Sequence, residues 1–214
     1  MTAALVNSVH VGRIAPLGRD GVPSAIVKTT VGGSIAVTTL GLAGDEQADL
    51  SVHGGPEKAV YAYAAAHYPA WVADFPRHAD LFVPGGLGEN LTIDGWVEAD
   101  LCVGDIHGIG TALLQVCQPR QPCFKFALRF DDNKFPRAMV GNGRAGWYYR
   151  VVEEGSLSAG DTAELVDRPN PGFGFDRLVE IVNRRRATIG EFETMARMSG
   201  LASDLRVWAR SQLS

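Results

Sequence analysis

Short apolar segments separated by glycine, proline and aspartate run through most of the chain before residue 167. Many of their residues are β-branched, and segments of this length and spacing are typical of strands joined by turns. The pattern therefore predicts a mainly β domain with irregular loops. The predicted strands cover residues 9–14, 24–31, 34–40, 101–103, 112–117, 146–152 and 163–166.

Residues 58–75 show a different pattern, because they are rich in alanine and place Val60, Tyr63 and Trp71 close to helical spacing. Pro69 lacks the amide N–H that a helix interior uses, so it should start, kink or divide a helix here. We therefore expect one helix, or two short ones, in this segment.

The character of the sequence changes at residues 167–174, where two prolines and two glycines interrupt regular structure. Beyond them the pattern is helical, and Thr188 stands three residues before Glu191, as in a capping box. We divide the chain into a β domain of residues 1–167 and a linker with a small helical domain of residues 168–214. The predicted helices of this tail cover residues 175–186, 188–198 and 203–212.

The composition is that of an ordinary globular protein, with 214 residues of which 46% are hydrophobic and 21% are charged. The 20 Lys+Arg and 24 Asp+Glu give a net charge of -4, so no overall positive field would attract nucleic acid or acidic lipid. The N-terminus lacks the pattern of a signal peptide, and no window approaches the length of a membrane span. We expect a cytoplasmic protein without membrane contact that holds any anion by local chemistry.

Three cysteines without an export signal argue against a disulfide framework. Cys102 and Cys117 lie in apolar segments and are expected to be buried. Cys123 differs, because it follows two prolines and stands near Arg120 and Lys125. Cations beside a thiol favour the thiolate, which is the form that ligates a soft metal or attacks an electrophile. The Cys117 to Cys123 spacing matches no common zinc knuckle, so Cys123 is the main candidate for chemistry.

Residues 41–58 form a glycine-rich segment that could surround an anion with backbone N–H groups. Within it, His53 and Lys58 can donate hydrogen bonds to such an anion. Taken alone, the His-Gly-Gly-Pro turn fits a plain turn as well as a binding loop, and polar neighbours such as Asp45 favour binding. Two further polar segments are candidates, one containing Asn90 and one containing Arg144 within a possible anion nest.

Together these segments resemble the MOSC family, named after the C-terminal domain of molybdenum cofactor sulfurases, and within it the YiiM branch. The resemblance covers about residues 9–166, and the tail resembles the short three-helix domain that follows MOSC domains. It implies a mainly β (α+β) fold, with a MOSC-type β-barrel, one or two helices and a small C-terminal helical domain. The stretches that carry it are GLAGDEQADLSVHGGPEKAVYAY, GENLTIDG, VGDIHGIGTALLQVCQPRQPC and GWYYRVVEEGSLSAGD.

The resemblance implies that the protein binds the molybdenum cofactor (molybdopterin), with Cys123 as the ligand to molybdenum. It further implies the reduction of N-hydroxylated compounds, such as 6-N-hydroxylaminopurine, to amines. The electrons should come from a separate reductase, because no flavin, haem or iron–sulfur motif is visible. The expected catalytic residues are Cys123, His53 and Asp45, with Glu89 a further candidate for the proton donor; the expected cofactor-binding residues are His53, Gly54, Gly55, Lys58, Asn90, Arg120, Lys125 and Arg144.

Two other classes of protein remain open at this point. Cys123 could carry a persulfide without any metal, or the chain could bind the cofactor without catalysis. The tail arginines, among them Arg184, Arg185 and Arg186, could contact a nucleic acid or a protein, although such a run is more often a solvated helix face.

Overall fold

The structure is a computed structural model that describes residues 3–50 and 53–214. The strands are β1 (Ala4–Val11), β2 (Ala15–Leu17), β3 (Val22–Ser24), β4 (Thr29–Thr30), β5 (Ile35–Thr38), β6 (Gly41–Leu42), β7 (Val60–Ala64), β8 (Leu91–Asp94), β9 (Ile106–Ile109), β10 (Ala112–Pro119), β11 (Trp147–Glu153), β12 (Gly155–Leu157) and β13 (Thr162–Asp167). The α-helices are α1 (Tyr68–Asp74), α2 (Phe124–Phe130), α3 (Lys134–Asn142), α4 (Phe175–Arg184), α5 (Ile189–Arg197) and α6 (Ser203–Ser211), and short 3-10 helices cover Pro56–Lys58, Ala65–His67, Pro76–Leu81 and Glu98–Asp100.

A closed barrel forms the centre of the structure, with its strands in the order β13, β9, β10, β11, β7, β8 and β1. The ring closes where Ala4 of β1 pairs with Ala163 of β13. The β7 and β8 strands are parallel, and the other neighbours in the barrel are antiparallel. Closure lets the two edge strands satisfy each other's backbone hydrogen bonds. This architecture confirms the barrel fold expected from the sequence.

Strand β7 corrects the prediction of a helix over residues 58–75. All five of its residues are buried, because alternate side chains enter two different cores. Val60 packs in the barrel core, whereas Tyr61 and Tyr63 pack in a second, aromatic core outside it. A strand that is buried on both faces lacks the apolar and polar alternation of a half-buried strand, so its composition resembled a buried helix. What remains of the prediction is the 3-10 helix Ala65–His67 and α1, which has Pro69 in its first turn.

The segment predicted as one strand over residues 24–31 is also interrupted. Its ends belong to β3 and β4, but residues 25–28 form no strand. The side chains of Ile26 and Lys28 turn toward a pocket instead. The segment predicted at 101–103 contributes only an isolated bridge, between Cys102 and Gly174. The remaining predicted strands are found with shifted ends.

Helices α2 and α3 hold the aromatic core together and were not predicted. Phe135 lies at the centre of this core, with ring centroids 4.0 Å from Phe130 and 4.8 Å from Trp71. Both helices are short, with seven and nine residues, so their sequence shows little periodicity. Tertiary packing rather than local preference therefore decides their conformation.

The three tail helices confirm the helical pattern after residue 174. Thr188 caps α5, where its Oγ1 accepts a hydrogen bond from the Glu191 amide at 3.2 Å and the Glu191 carboxylate accepts one from the Thr188 amide at 2.7 Å. Apolar side chains of the tail, including Leu178 and Met195, belong to the same buried cluster as the barrel interior. The helices therefore pack on the barrel, and the boundary at residue 167 stays a prediction. No helix within residues 3–50 and 53–214 is long and apolar enough to cross a membrane.

Candidate functional site

One pocket, which we call the Cys123 pocket, gathers most of the candidate residues from separate parts of the chain. Its walls come from the loops before β7 and β8, the segment after β3, and the connection between β10 and α2. The predicted residues among its lining are Asp45, His53, Gly54, Lys58, Asn90, Arg120, Cys123 and Lys125. The fold thus brings these residues together, while the roles assigned to them stay predictions.

Cys123 is the half-buried thiol of this pocket. It occupies the position just before α2, with extended backbone angles (φ -106°, ψ 173°), and the other two cysteines are buried. Burial raises the pKa of the Cys117 thiol to about 12, and its Sγ donates to the carbonyl oxygen of Glu57 at 3.0 Å. The structure therefore agrees with the distinction between a structural Cys117 and an accessible Cys123.

Arg120 is a buried cation surrounded by aromatic rings. Its guanidinium carbon lies 4.9 Å from the ring centre of Tyr61 and 4.8 Å from that of Phe126, and its Nη1 donates to the Tyr148 hydroxyl at 2.6 Å. No carboxylate forms an ion pair with it in the part of the chain that the structure describes. A buried positive charge held by rings and a hydroxyl is well suited to an anionic ligand.

Lys28 lines the same pocket and was missed in the sequence. Its Nζ donates to Asp45 Oδ1 at 2.5 Å, and burial lowers the pKa of its ammonium group, while the Asp45 charge acts in the opposite direction. Asp45 also accepts hydrogen bonds from the Gly12 amide at 2.6 Å and from Asn90 Nδ2 at 2.9 Å. Both carboxyl oxygens of Asp45 are thus occupied as acceptors that hold Lys28 and Asn90 in place, which makes Asp45 a poor candidate for the proton donor.

His53 presents an uncharged imidazole to the pocket at neutral pH. Burial lowers its pKa to about 4, helped by the charges of Arg120, Lys125 and Lys58. Its Nδ1 is buried without a hydrogen-bond partner among the described residues. The next residue, Gly54, has φ +78°, which a side chain disfavours. The turn thus leaves an unsatisfied ring nitrogen beside three cations.

Glu89 lies behind the pocket wall rather than in its lining. Its carboxylate accepts hydrogen bonds from the amides of Gly85 at 2.7 Å and Leu87 at 3.0 Å, and from the hydroxyls of Tyr68 and Thr92. Burial raises its pKa. Because these donors enclose the carboxylate, Glu89 braces the loop before β8 and does not reach the pocket that contains Cys123.

Arg144 is not brought to the Cys123 pocket, in contrast to its expected role there. It follows α3, whose end is marked by Gly143 in the left-handed conformation with φ 74°. Its Nη1 donates to Asp74 at 2.7 Å, and its guanidinium carbon lies 5.0 Å from the Trp71 ring centre. Its side chain borders a separate cleft, whose lining comes from the end of α3, the 3-10 turn Glu98–Asp100 and α4. The predicted anion nest at residues 141–147 therefore consists of the end of α3 and its connection to β11.

The lining fits the molybdenum cofactor. Cys123 would hold the molybdenum of this cofactor through its sulfur, because a thiolate is a soft ligand. Lys58, Arg120 and Lys125 line the same pocket and would supply cations to a pterin phosphate, and His53 Nδ1, which has no hydrogen-bond partner among the described residues, would offer a further polar contact. The described residues contain no group of three or more His, Cys, Asp and Glu side chains placed to hold a metal ion.

The chain is a closed barrel with a thiol and several cations in one pocket. It belongs to the MOSC domain family, whose model matches residues 49–164. Within the family the chain is YiiM-like. It is 45% identical over 160 residues to protein YiiM of Escherichia coli (strain K12), which covers 75% of this chain and 71% of YiiM. These matches confirm the resemblance inferred from the sequence.

Solved structures extend the likeness over the whole length. The crystal structure of YiiM from Geobacillus stearothermophilus matches with a TM-score of 0.82 and 31% identity, covering 99% of this chain and 100% of that one. The crystal structure of YiiM from Escherichia coli matches with a TM-score of 0.83 and 30% identity, covering 100% and 93%. A protein named "Reductase" from Gibberella moniliformis is 39% identical over 187 residues, which cover 85% of this chain and 32% of the fungal protein.

Proposed function

We propose that this protein is a molybdenum-cofactor-dependent reductase of N-hydroxylated compounds, such as 6-N-hydroxylaminopurine, and that it detoxifies them to the corresponding amines. The observation that carries the proposal is the position of Cys123 in one pocket with Lys28, Lys58, Arg120 and Lys125. A single half-buried thiol beside several cations matches what a metal-bearing pterin phosphate requires from a protein. The association of MOSC domains with this cofactor supports the proposal at the level of the family.

The chain's own residues would bind and orient both cofactor and substrate. Cys123 would ligate the metal as a thiolate, and Lys58, Arg120 and Lys125 would neutralise the cofactor phosphate. The bound cofactor supplies two-electron oxygen-atom chemistry, which side chains alone do not provide. Lys28 holds an ammonium proton at Nζ inside the pocket, so it is better placed than Asp45 to hydrogen-bond the substrate oxygen or to protonate the leaving amine.

The proposed reaction needs an electron donor, which we infer to be a separate reductase. The match with the fungal protein named "Reductase" accounts for 32% of that protein's length. A protein in which a MOSC-like segment occurs together with a longer remainder is consistent with a reaction that needs a second unit. The other partner of this site would be the small N-hydroxylated substrate.

The test compares molybdenum content and 6-N-hydroxylaminopurine reduction in the wild type and in Cys123→Ser, both from a cofactor-producing host. Cys102→Ser is the matched control, because Cys102 is buried and lies outside the pocket lining. We expect bound molybdenum and activity with a chemical reductant in the wild type and the control, and the loss of both in Cys123→Ser. A metal-free wild type with a reactive Cys123 would instead favour a persulfide carrier, and bound metal without reduction would favour a non-catalytic cofactor-binding protein.

A further inference from the structure

Glu57 links the Cys123 pocket to the C-terminal helices. It lies in the 3-10 turn Pro56–Lys58, directly before the pocket residue Lys58. Its own carboxylate contacts the start of α6, where it accepts hydrogen bonds from the Ser203 amide at 3.0 and 2.9 Å and from the Ser203 hydroxyl at 2.7 Å. Arg150 Nη2 donates to the same carboxylate at 2.7 Å. One side chain is thus held by the barrel and by the tail.

The main chain of Glu57 is fixed as well. Its carbonyl oxygen accepts hydrogen bonds from Cys117 Sγ at 3.0 Å and from Gln118 Nε2 at 2.9 Å. The tail is attached at the same place, because the Ala202 amide donates to the Cys117 carbonyl at 3.0 Å. Strand β10, the pocket turn and the start of α6 therefore meet around this one residue.

The first turn of α6 needs an acceptor from elsewhere in the chain. A helix leaves its first amide N–H groups without partners inside the helix, and a side-chain oxygen before the helix usually accepts from them. Ala202 precedes α6 and makes no side-chain cap. The Glu57 carboxylate fills this role, and its negative charge also suits the positive end of the helix.

We propose that Glu57 is a positioning residue, through which the C-terminal helices keep the turn of residues 54–58 in the shape that presents Lys58 to an anion in the Cys123 pocket. In this proposal the tail stabilises the pocket turn in addition to covering apolar surface of the barrel. The proposal rests on the proposed function only for the identity of that anion. The contact between Glu57 and α6 stands without it.

Two variants remove the contact from opposite sides. Glu57→Gln removes the charge and keeps the size of the side chain. Ser203→Pro removes the amide and hydroxyl donors of Ser203 without substituting any residue of the pocket turn, and proline suits the first residue of a helix. The preceding Ala202 already has φ -56° and ψ 142°, which are angles that a residue before proline prefers. Glu191→Gln is the control, because Glu191 pairs with Arg177 at 2.7 Å within the tail.

Amide hydrogen exchange across residues 54–58 and the Kd for inorganic phosphate are measured on cofactor-free protein. We expect Glu57→Gln and Ser203→Pro each to accelerate exchange in this turn by about tenfold, as the loss of a charge-assisted hydrogen bond implies, and to raise the Kd by a similar factor. Exchange in β7 reports global destabilisation and should change little, and the control should resemble the wild type.

The proposal would be overturned if residues 54–58 exchanged at the wild-type rate in the Ser203→Pro variant, because the tail would then not stabilise the pocket turn. A wild type that binds no phosphate would count against the proposed cofactor site, while the exchange comparison would still decide whether Glu57 transmits the effect of Ser203.

Discussion

Lys28 and Asp45 form an ion pair inside the Cys123 pocket, with Nζ and Oδ1 2.5 Å apart and side chains only 6% and 4% exposed. Removing two charges from water is costly, so such a pair adds little net stability while it is intact. Removing one partner of the pair is strongly destabilising, because the remaining charge stays buried without compensation. The pair therefore fixes the geometry of the pocket wall more than it stabilises the protein.

Asp45→Asn should lower the free energy of unfolding by about 3 kcal/mol, because Lys28 loses its counter-charge in a buried site. The measurement is urea denaturation near neutral pH. Glu46→Gln is the matched control: Glu46 pairs with Arg13 on the surface, where the side chains are 36% and 74% exposed, and its loss should cost less than about 1 kcal/mol. Equal losses in the two variants would show that burial of the Lys28 pair does not matter.

Arg120→Ala and Arg144→Ala should differ in their effect on anion binding. Arg120 lines the Cys123 pocket, so its loss should raise the Kd for inorganic phosphate by about tenfold. Arg144 contacts Asp74 and Trp71 instead, so Arg144→Ala should leave this Kd unchanged. Isothermal titration calorimetry of the cofactor-free variants with phosphate makes the comparison. A weaker affinity for phosphate in Arg144→Ala would show that Arg144 contributes to anion binding after all.

Acid should destabilise the protein through His107. Burial, with a smaller contribution from the Arg168 charge, lowers the pKa of His107 to about 3, whereas an unfolded histidine titrates near about 6.5. Between these values the unfolded chain binds a proton that the folded chain does not. The contribution of His107 to stability is therefore complete above about pH 6.5 and falls as the pH is lowered, by up to about 1.4 kcal/mol per pH unit.

Urea midpoints at pH 7.5 and pH 5 check this expectation in the wild type and in His107→Gln. The variant should show a smaller loss on acidification, although His10 and His53, whose pKa values are lowered to about 4, still contribute. His78→Gln serves for comparison, because His78 lies near the surface, 3.6 Å from Asp132. The same pH dependence in His107→Gln and the wild type would contradict the assignment.

Phe135→Ala should destabilise the protein far more than Phe124→Ala, although both residues lie in the short helices near the pocket. Phe135 is fully buried at the centre of the aromatic core, whereas Phe124 is 61% exposed. Truncation of a buried phenylalanine costs about 3–5 kcal/mol, and that of an exposed one costs much less. Thermal and urea denaturation distinguish the two variants, and similar losses would mean that the aromatic core does not support α2 and α3.

The sequence by itself determined the features that depend on local chemistry. Cys123 could be singled out because its neighbours along the chain are prolines and cations, and these neighbours remain beside it after folding. The tail helices could be predicted in the same way, since the Thr188 and Glu191 cap is a contact between residues three positions apart. Motif order over residues 9–166 was enough to identify the family.

Only the tertiary structure decided which distant residues share the pocket. Lys28 was missed because its partner Asp45 is 17 residues away. Arg144 was assigned to the site because a glycine-rich sequence is typical both of an anion nest and of the end of a helix. Strand β7 was predicted as helix for a related reason: burial on both faces removes the periodicity that distinguishes the two conformations. Contacts between segments far apart in sequence fix these features, and no local pattern records such contacts.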